Sequence, residues 1–301
     1  MSIDPHQVTV IFRGLVDSRK CAKELFESIT NLSRLGFSNV IVSTWNSLYL
    51  STLNQAPCTV LVCDEGEFDW RNWETRQFAR DNLRQIVHTT LRGLFEVRTP
   101  FAMILRSDIR VSKVADLTTW LDGEGPYFAI EGTRSPSKTL APFFLSDFAF
   151  FMRTELALKA FQFCQRANRR MPYSSKSSLW ANSQIRSGDN FWDNEQYIAL
   201  SIIRSLNFEP TGVRLLDLFA TADLIRSEQI GIKGLSSAGL SFPPRLDSKS
   251  SQMLPPVTRA NRFLWKPRIR LKYFIGWLFD PYFYDSYRSR YRLFLRLMRE
   301  K

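Results

Sequence analysis

Short apolar runs alternate with stretches whose apolar positions recur at helical spacing over the first 110 residues. Residues 8–12 are almost wholly apolar and stop just short of Gly14, the mark of a strand buried on both faces. Ala22, Leu25, Ile29 and Leu32 then fall three and four apart, and Gly36 ends the helix they predict. The runs 40–42 and 59–62 predict strands, the first ending in Ser43-Thr44-Trp45 and the second in Cys63-Asp64-Glu65-Gly66. Leu83, Ile86, Val87, Thr90 and Leu94 stripe a longer helix. Residues 101–105 predict a fourth strand, which ends in Arg106-Ser107-Asp108. Strands and helices alternating in this way imply βαβ units. They predict an α/β, Rossmann-like fold with a mostly parallel central sheet flanked by helices.

Beyond residue 110 the pattern loosens. Residues 127–130 and 148–152 read as strands, 154–164 as a helix, and the polar, basic stretch 168–187 as a loop. Asp193-Asn194-Glu195-Gln196 opens a further helix with Ile198, Ile202 and Leu206 on one face. Ser, Gly and Pro then rise over 231–256, which predicts a linker or lid. The expected organisation is a catalytic domain over 1–230, a linker or lid over 231–258 and a separate tail over 259–301.

Composition sharpens this picture mainly at the tail. Of 301 residues, 44% are hydrophobic and 23% charged, as in an ordinary globular protein. Four cysteines with no C-x-x-C pair and only two histidines exclude a zinc finger and a disulfide framework. No apolar run approaches the roughly 18 residues of a membrane span, and the first residues lack a signal-peptide pattern, so the expected location is the cytoplasm. The formal charge is +12, and residues 259–301 hold twelve basic residues against three acidic ones, a net of +9. Trp265, Lys266, Arg268, Arg270, Lys272 and Trp277 mix charge with rings, and Arg288, Arg292 and Arg296 recur beside Tyr287, Tyr291 and Phe294 at helical spacing. A basic aromatic helical tail of this kind suits the anionic inner face of a membrane, reached peripherally; the alternative is that its rings pack on the rest of the protein. Nucleic acid is disfavoured as a partner, because no RNA-binding motif accompanies the basic residues.

In an open α/β sheet, ligands bind beyond the carboxyl ends of the strands. Four such ends here are polar: Arg13-Gly14, Ser43-Thr44-Trp45, Asp64-Glu65-Gly66 and Arg106-Ser107-Asp108. No G-x-G-x-x-G, G-x-x-x-x-G-K-[ST] or G-x-S-x-G occurs, which counts against dinucleotide oxidoreductases, P-loop NTPases and α/β hydrolases. Asp108 just past a buried strand has two readings. It is a turn residue, with Arg106 paired to a surface acid, or it holds a divalent ion (Mn or Mg) that bridges the phosphates of a nucleotide.

Cys63-Asp64-Glu65-Gly66, then Asn82-Leu83-Arg84-Gln85-Ile86-Val87, then Leu105-Arg106-Ser107-Asp108-Ile109 resembles the WavE lipopolysaccharide-synthesis family of proposed glycosyltransferases. The strand ending near Gly14, Ser43-Thr44-Trp45 and Asn194-Glu195-Gln196 extend the likeness over roughly residues 8 to 206. Arg13-Gly14-Leu15 stands where the family usually has Gln-Gly-Pro, and Asp64-Glu65-Gly66 where it has Asp-Pro-Gly. The resemblance implies a GT-A-like nucleotide-sugar fold with Arg106-Ser107-Asp108 at the position of the metal-binding acidic motif.

Arg13, Gly14, Thr44, Asp64, Asn82, Arg84, Gln85, Arg106, Ser107 and Asp108 are the expected nucleotide-sugar contacts. Arg84 offers a planar fork to phosphate, and Asn82 and Gln85 offer amides to a sugar or base; the alternative for this helix is an ordinary solvated face. His88 reads as a partly exposed bystander. Glu195 is the first candidate and Asp193 the second for the carboxylate that takes a proton from the acceptor hydroxyl, although Asp193 also suits a helix cap and Glu195 the first helical turn. The function expected is transfer of a sugar from a nucleotide-sugar donor to a saccharide or lipid-linked acceptor of bacterial lipopolysaccharide or capsule. The rival is a non-catalytic membrane or interaction protein that keeps the fold.

Overall fold

The structure, a computed structural model, describes residues 2–63, 78–112, 114–130, 148–170, 194–208, 224, 229–234 and 239–241. Among these, nine strands and five α-helices follow one another as β1 (Val8–Arg13), α1 (Arg19–Arg34), β2 (Asn39–Trp45), β3 (Thr59–Cys63), α2 (Phe78–Leu94), β4 (Phe101–Arg106), β5 (Arg110–Val111), α3 (Val114–Leu117), β6 (Tyr127–Ile130), β7 (Ala149–Arg153), α4 (Thr154–Arg170), α5 (Asn194–Ser205), β8 (Gly231–Gly234) and β9 (Leu240–Ser241).

Seven strands form one sheet in the order β3-β2-β1-β4-β7-β6-β8. β1 pairs in parallel with β2 and β4, β2 with β3, and β6 with β8, whereas β7 runs antiparallel to both its neighbours. The expected α/β class and mostly parallel sheet are therefore present. β5 and β9 make a separate antiparallel pair.

Apolar alternation along the strands divides the core into two layers. Val8, Val10 and Phe12 of β1 pack with Ala22, Leu25, Ile29 and Leu32 of α1, while Ile11 packs with Leu83, Val87, Leu91 and Leu94 of α2. In β4, Phe101, Met103 and Leu105 face the first layer and Ala102 and Ile104 the second. Both faces are thus covered, which is why these strands read as unbroken apolar runs.

Local signals set the ends of α1. The Ser18 side chain accepts from the Cys21 amide at 3.1 Å, capping the start. At the other end Gly36 has φ +89°, and Phe37 N and Gly36 N donate to Leu32 O and Ser33 O, the paired bonds of a Schellman motif. α2 lies close on β1: a Cβ added at Gly93 would sit 2.7 Å from Cγ2 of Ile11.

The structure departs from the sequence reading in two places. α4 runs on to Arg170, so residues 168–170 are helical rather than loop. Residues 231–234 and 240–241, expected within a linker or lid, are strands, and β8 extends the main sheet beyond residue 230. Glycine explains the strand at 231–234: a side chain at position 231 would collide with the Tyr127 ring on the neighbouring strand, so the residue that reads as a loop signal permits close strand packing. No helix among the described residues is long and apolar enough to cross a membrane. The tail over 259–301, with Trp265, Lys266, Arg268, Arg270, Lys272, Trp277, Arg288, Arg292 and Arg296, lies outside the described residues.

Candidate functional site

Strand order reverses between β1 and β4, because the chain builds outward from β1 to β2 and β3 on one side and resumes with β4 on the other. Ligands of open α/β sheets bind at such a switch point, beyond the carboxyl ends. Arg13 of β1 is in register with Ser43 of β2 on one side and Arg106 of β4 on the other. The sequence gives no sign that these two arginines are neighbours; strand pairing brings them together.

The chains leaving β1 and β4 are stitched to each other. Ser107 N donates to Arg13 O at 2.8 Å, and Ser107 Oγ donates to Leu15 O at 2.9 Å. Gly14 has φ +110°, a conformation that favours glycine, and a Cβ there would lie 3.3 Å from Ser107 Oγ. Ser107 is buried with its hydroxyl committed to this junction, and Arg13 is also buried.

Arg106 and Asp108 form a two-pronged ion pair at the exit of β4. Arg106 Nε donates to Oδ1 of Asp108 at 3.0 Å, and Nη2 donates to Oδ2 at 2.6 Å. The side chains are 27% and 13% exposed. The guanidinium carbon lies 4.9 Å from the centre of the Phe148 ring, and Arg106 N donates to Phe148 O at 3.0 Å. Beyond Asp108 the chain is clamped to α1: Val111 N donates to Ser28 Oγ, Asn31 Nδ2 to Val111 O, and Arg110 pairs with Glu24. Cys21 completes the underside of the junction, its thiol lying 3.7 Å from Ser107 O. Burial, then the charge of Asp17, with Asp108 a lesser contributor, pushes this thiol up to about 11. Asp17, Cys21 and Phe148 are the neighbours that sequence reasoning missed. Ser18 as a helix cap just after β1 was the available signal for the first two.

The exits of β2 and β3 differ in kind. Ser43, Thr44 and Trp45 are buried. Thr44 Oγ1 donates to Trp45 O at 3.3 Å, Ser43 Oγ lies 3.8 Å from Cys63 Sγ, and the Trp45 ring stacks on His88 with centroids 5.4 Å apart. Thr44 is therefore an interior residue here, and His88 is half-buried, its ring packed on Trp45. Asp64 lies outside the described residues.

Helix direction carries the α2 candidates to the same edge. α2 follows β3 and returns to β4, so its first turns lie at the carboxyl edge. Arg84 stands four residues before His88, roughly 6 Å along the axis at 1.5 Å per residue. Asn82 and Arg84 belong to α2, but their side chains are not among those described, and Gln85 is half-buried. α4 starts at the opposite edge, where Thr154 N donates to Pro100 O. Arg204 of α5 lies over Phe163 of α4, and Ser201 hydrogen-bonds Cys164. Glu195 belongs to the first turn of α5. The Glu195 side chain and Asp193 lie outside the described residues.

A divalent cation of the magnesium or calcium type takes six or more oxygen ligands, carboxylates prominent among those a protein supplies. Among the described residues no group of three or more His, Cys, Asp or Glu converges. Asp108 already accepts through both oxygens from Arg106. The described residues do not fit such an ion. Compared with protein families and with curated proteins, the chain matches no family model and no curated protein.

Proposed function

We propose that this chain is a GT-A-like glycosyltransferase that takes a nucleotide sugar and glycosylates a saccharide or lipid-linked acceptor of a bacterial surface polysaccharide. The observation that carries this reading is the in-register pair Arg13 and Arg106 at the switch point between β1 and β4. Two guanidinium-bearing strand exits on the ligand edge of an α/β sheet suit a diphosphate. The antiparallel β7 beside β4, and the small β5–β9 pair following Asp108, support the GT-A-like form of the fold. The residues quoted for the likeness to the WavE family supply the substrate class.

In the reaction proposed, an acceptor hydroxyl oxygen attacks the anomeric carbon of the donor. The bond from that carbon to the diphosphate oxygen breaks, and its electron pair leaves with the nucleoside diphosphate. Fixed positive charge at the exit of β4 stabilises the negative charge that grows there. The hydroxyl proton passes to a carboxylate, for which Glu195 is the first choice and Asp193 the second if the reaction inverts. Peripheral attachment to an anionic membrane through residues 259–301 would bring the protein to a lipid-linked acceptor.

Incubating the full chain with UDP-, GDP-, CMP- and dTDP-sugars and following release of the nucleotide tests the reading. Donor-specific release that accelerates with a saccharide acceptor is expected. Absence of binding to every donor would favour a non-catalytic protein that keeps the fold. Salt-sensitive sedimentation of the full chain with phosphatidylglycerol vesicles checks the membrane part.

A further inference from the structure

We infer that the Arg106 guanidinium, held by Asp108, stands in for a divalent cation in neutralising a bound diphosphate. This rests on the donor-site reading above and specifies how that site handles charge.

Asp108 faces Arg106 in a fork-to-fork arrangement, with both carboxylate oxygens accepting, at 3.0 and 2.6 Å. Such a pair places a positive charge within hydrogen-bond distance of the carboxylate, which repels an incoming divalent ion and competes with it for the same oxygens. Among the described residues, the other acids whose charge reaches Cys21 beneath this junction are Asp17 and Glu24, and Glu24 is paired with Arg110. Carboxylates held by Arg106 and by Arg110 make a poor cage for an ion that takes six or more oxygens. The described acids do not cluster in threes anywhere.

The arginine, by contrast, is well prepared. Asp108 fixes the plane of its guanidinium, the Phe148 ring lies 4.9 Å beneath it, and its backbone is locked between β1 and Phe148 O. A planar cation oriented in advance loses little freedom when it meets an anion. Arg13 adds a second basic residue at the adjacent strand exit. Asp108 then offsets the charge of Arg106 while no anion is bound, and the Phe148 ring and the strand backbone keep the guanidinium in place.

The two assignments of Asp108 predict opposite results. Inorganic pyrophosphate is titrated calorimetrically into the full chain, once in EDTA and once in manganese. Binding in EDTA, within about threefold of the manganese value, is expected, and Arg106→Lys weakens it about tenfold or more by losing the fork geometry. Asp108→Asn keeps pyrophosphate binding in EDTA, at equal or a few-fold higher affinity, because a negative charge beside the anion is gone. A metal-holding Asp108 requires the reverse. Pyrophosphate binding that appears only with manganese or magnesium, or fails in both buffers, overturns the inference. Loss of EDTA binding in Asp108→Asn with an unchanged melting temperature does the same, and the wild-type comparison decides alone if that variant does not fold. Metal-dependent turnover of a nucleotide sugar would refute this inference while leaving the glycosyltransferase reading intact. Pyrophosphate binding in EDTA without recognition of any donor sugar would do the opposite.

Discussion

The exits of β1 and β4 and the exits of β2 and β3 lie on one edge of one sheet and look alike in sequence: short, polar, directly after apolar runs. Their structures differ. At β1 and β4 an arginine–aspartate fork, a second arginine and a positive-φ glycine are stitched together by Ser107. At β2 and β3 a serine, a threonine and a thiol are buried among their own neighbours, and a tryptophan stacks on the helix above. The strand order explains the difference. Only β1 and β4 flank the switch point, where the connections diverge to opposite sides and leave the strand ends uncovered by their own crossovers. The polar residues Ser43 and Thr44 of β2 have a different task, which is to satisfy hydrogen bonds in a closed layer.

The comparison breaks most easily at the junction itself. Gly14→Val places a β-branched side chain at φ +110° and crowds Ser107. It should cost about 2–4 kcal/mol of stability, from backbone strain and overpacking together, visible as a lower melting temperature. Gly93→Ala crowds Ile11 in the shared layer beneath both pairs of exits. Chemical denaturation should show a loss of about 1–2 kcal/mol, without the selective loss of pyrophosphate affinity expected of Arg106→Lys.

Alkaline pH probes the underside of the site. Burial pushes Cys21 and Cys58 up to about 11 and Cys164 up to about 12, from an ordinary 9.0. The unfolded chain gives up these thiol protons from about pH 9, and the folded chain only near 11 or 12. Their contribution to stability is therefore complete below pH 9 and declines as pH rises through the folded values, with a slope of at most about 1.4 kcal/mol per pH unit for each thiol. Denaturation midpoints measured from pH 8 to 11 check this, and a rise across that range would contradict it. Ser43→Ala should have the smallest effect. Losing its contact with Cys63 costs about 0.5–1 kcal/mol, and pyrophosphate affinity should stay within about twofold. A tenfold loss there would erase the distinction between the two pairs of exits.

Residue pattern alone determined the first half of this fold. The runs over 8–12 and 101–105 are buried along their whole length, and the stripe from Ala22 to Leu32 buries one helical face, so burial follows the pattern that the residues themselves display. It also identified Arg106, Ser107 and Asp108 as notable, because a charged triplet after a buried strand is visible locally. Tertiary structure alone decided what the triplet does. Arg106 meets Asp108 and Phe148, Ser107 closes onto Leu15, and Arg13 becomes the neighbour of Arg106 through strand pairing across more than ninety residues. The strands at 231–234 and 240–241 were hidden for a related reason. They are two to four residues long, rich in the residues that mark loops, and acquire a partner only from β6 and β5. A short strand carries little periodic signal of its own, so its identity comes from the edge it completes.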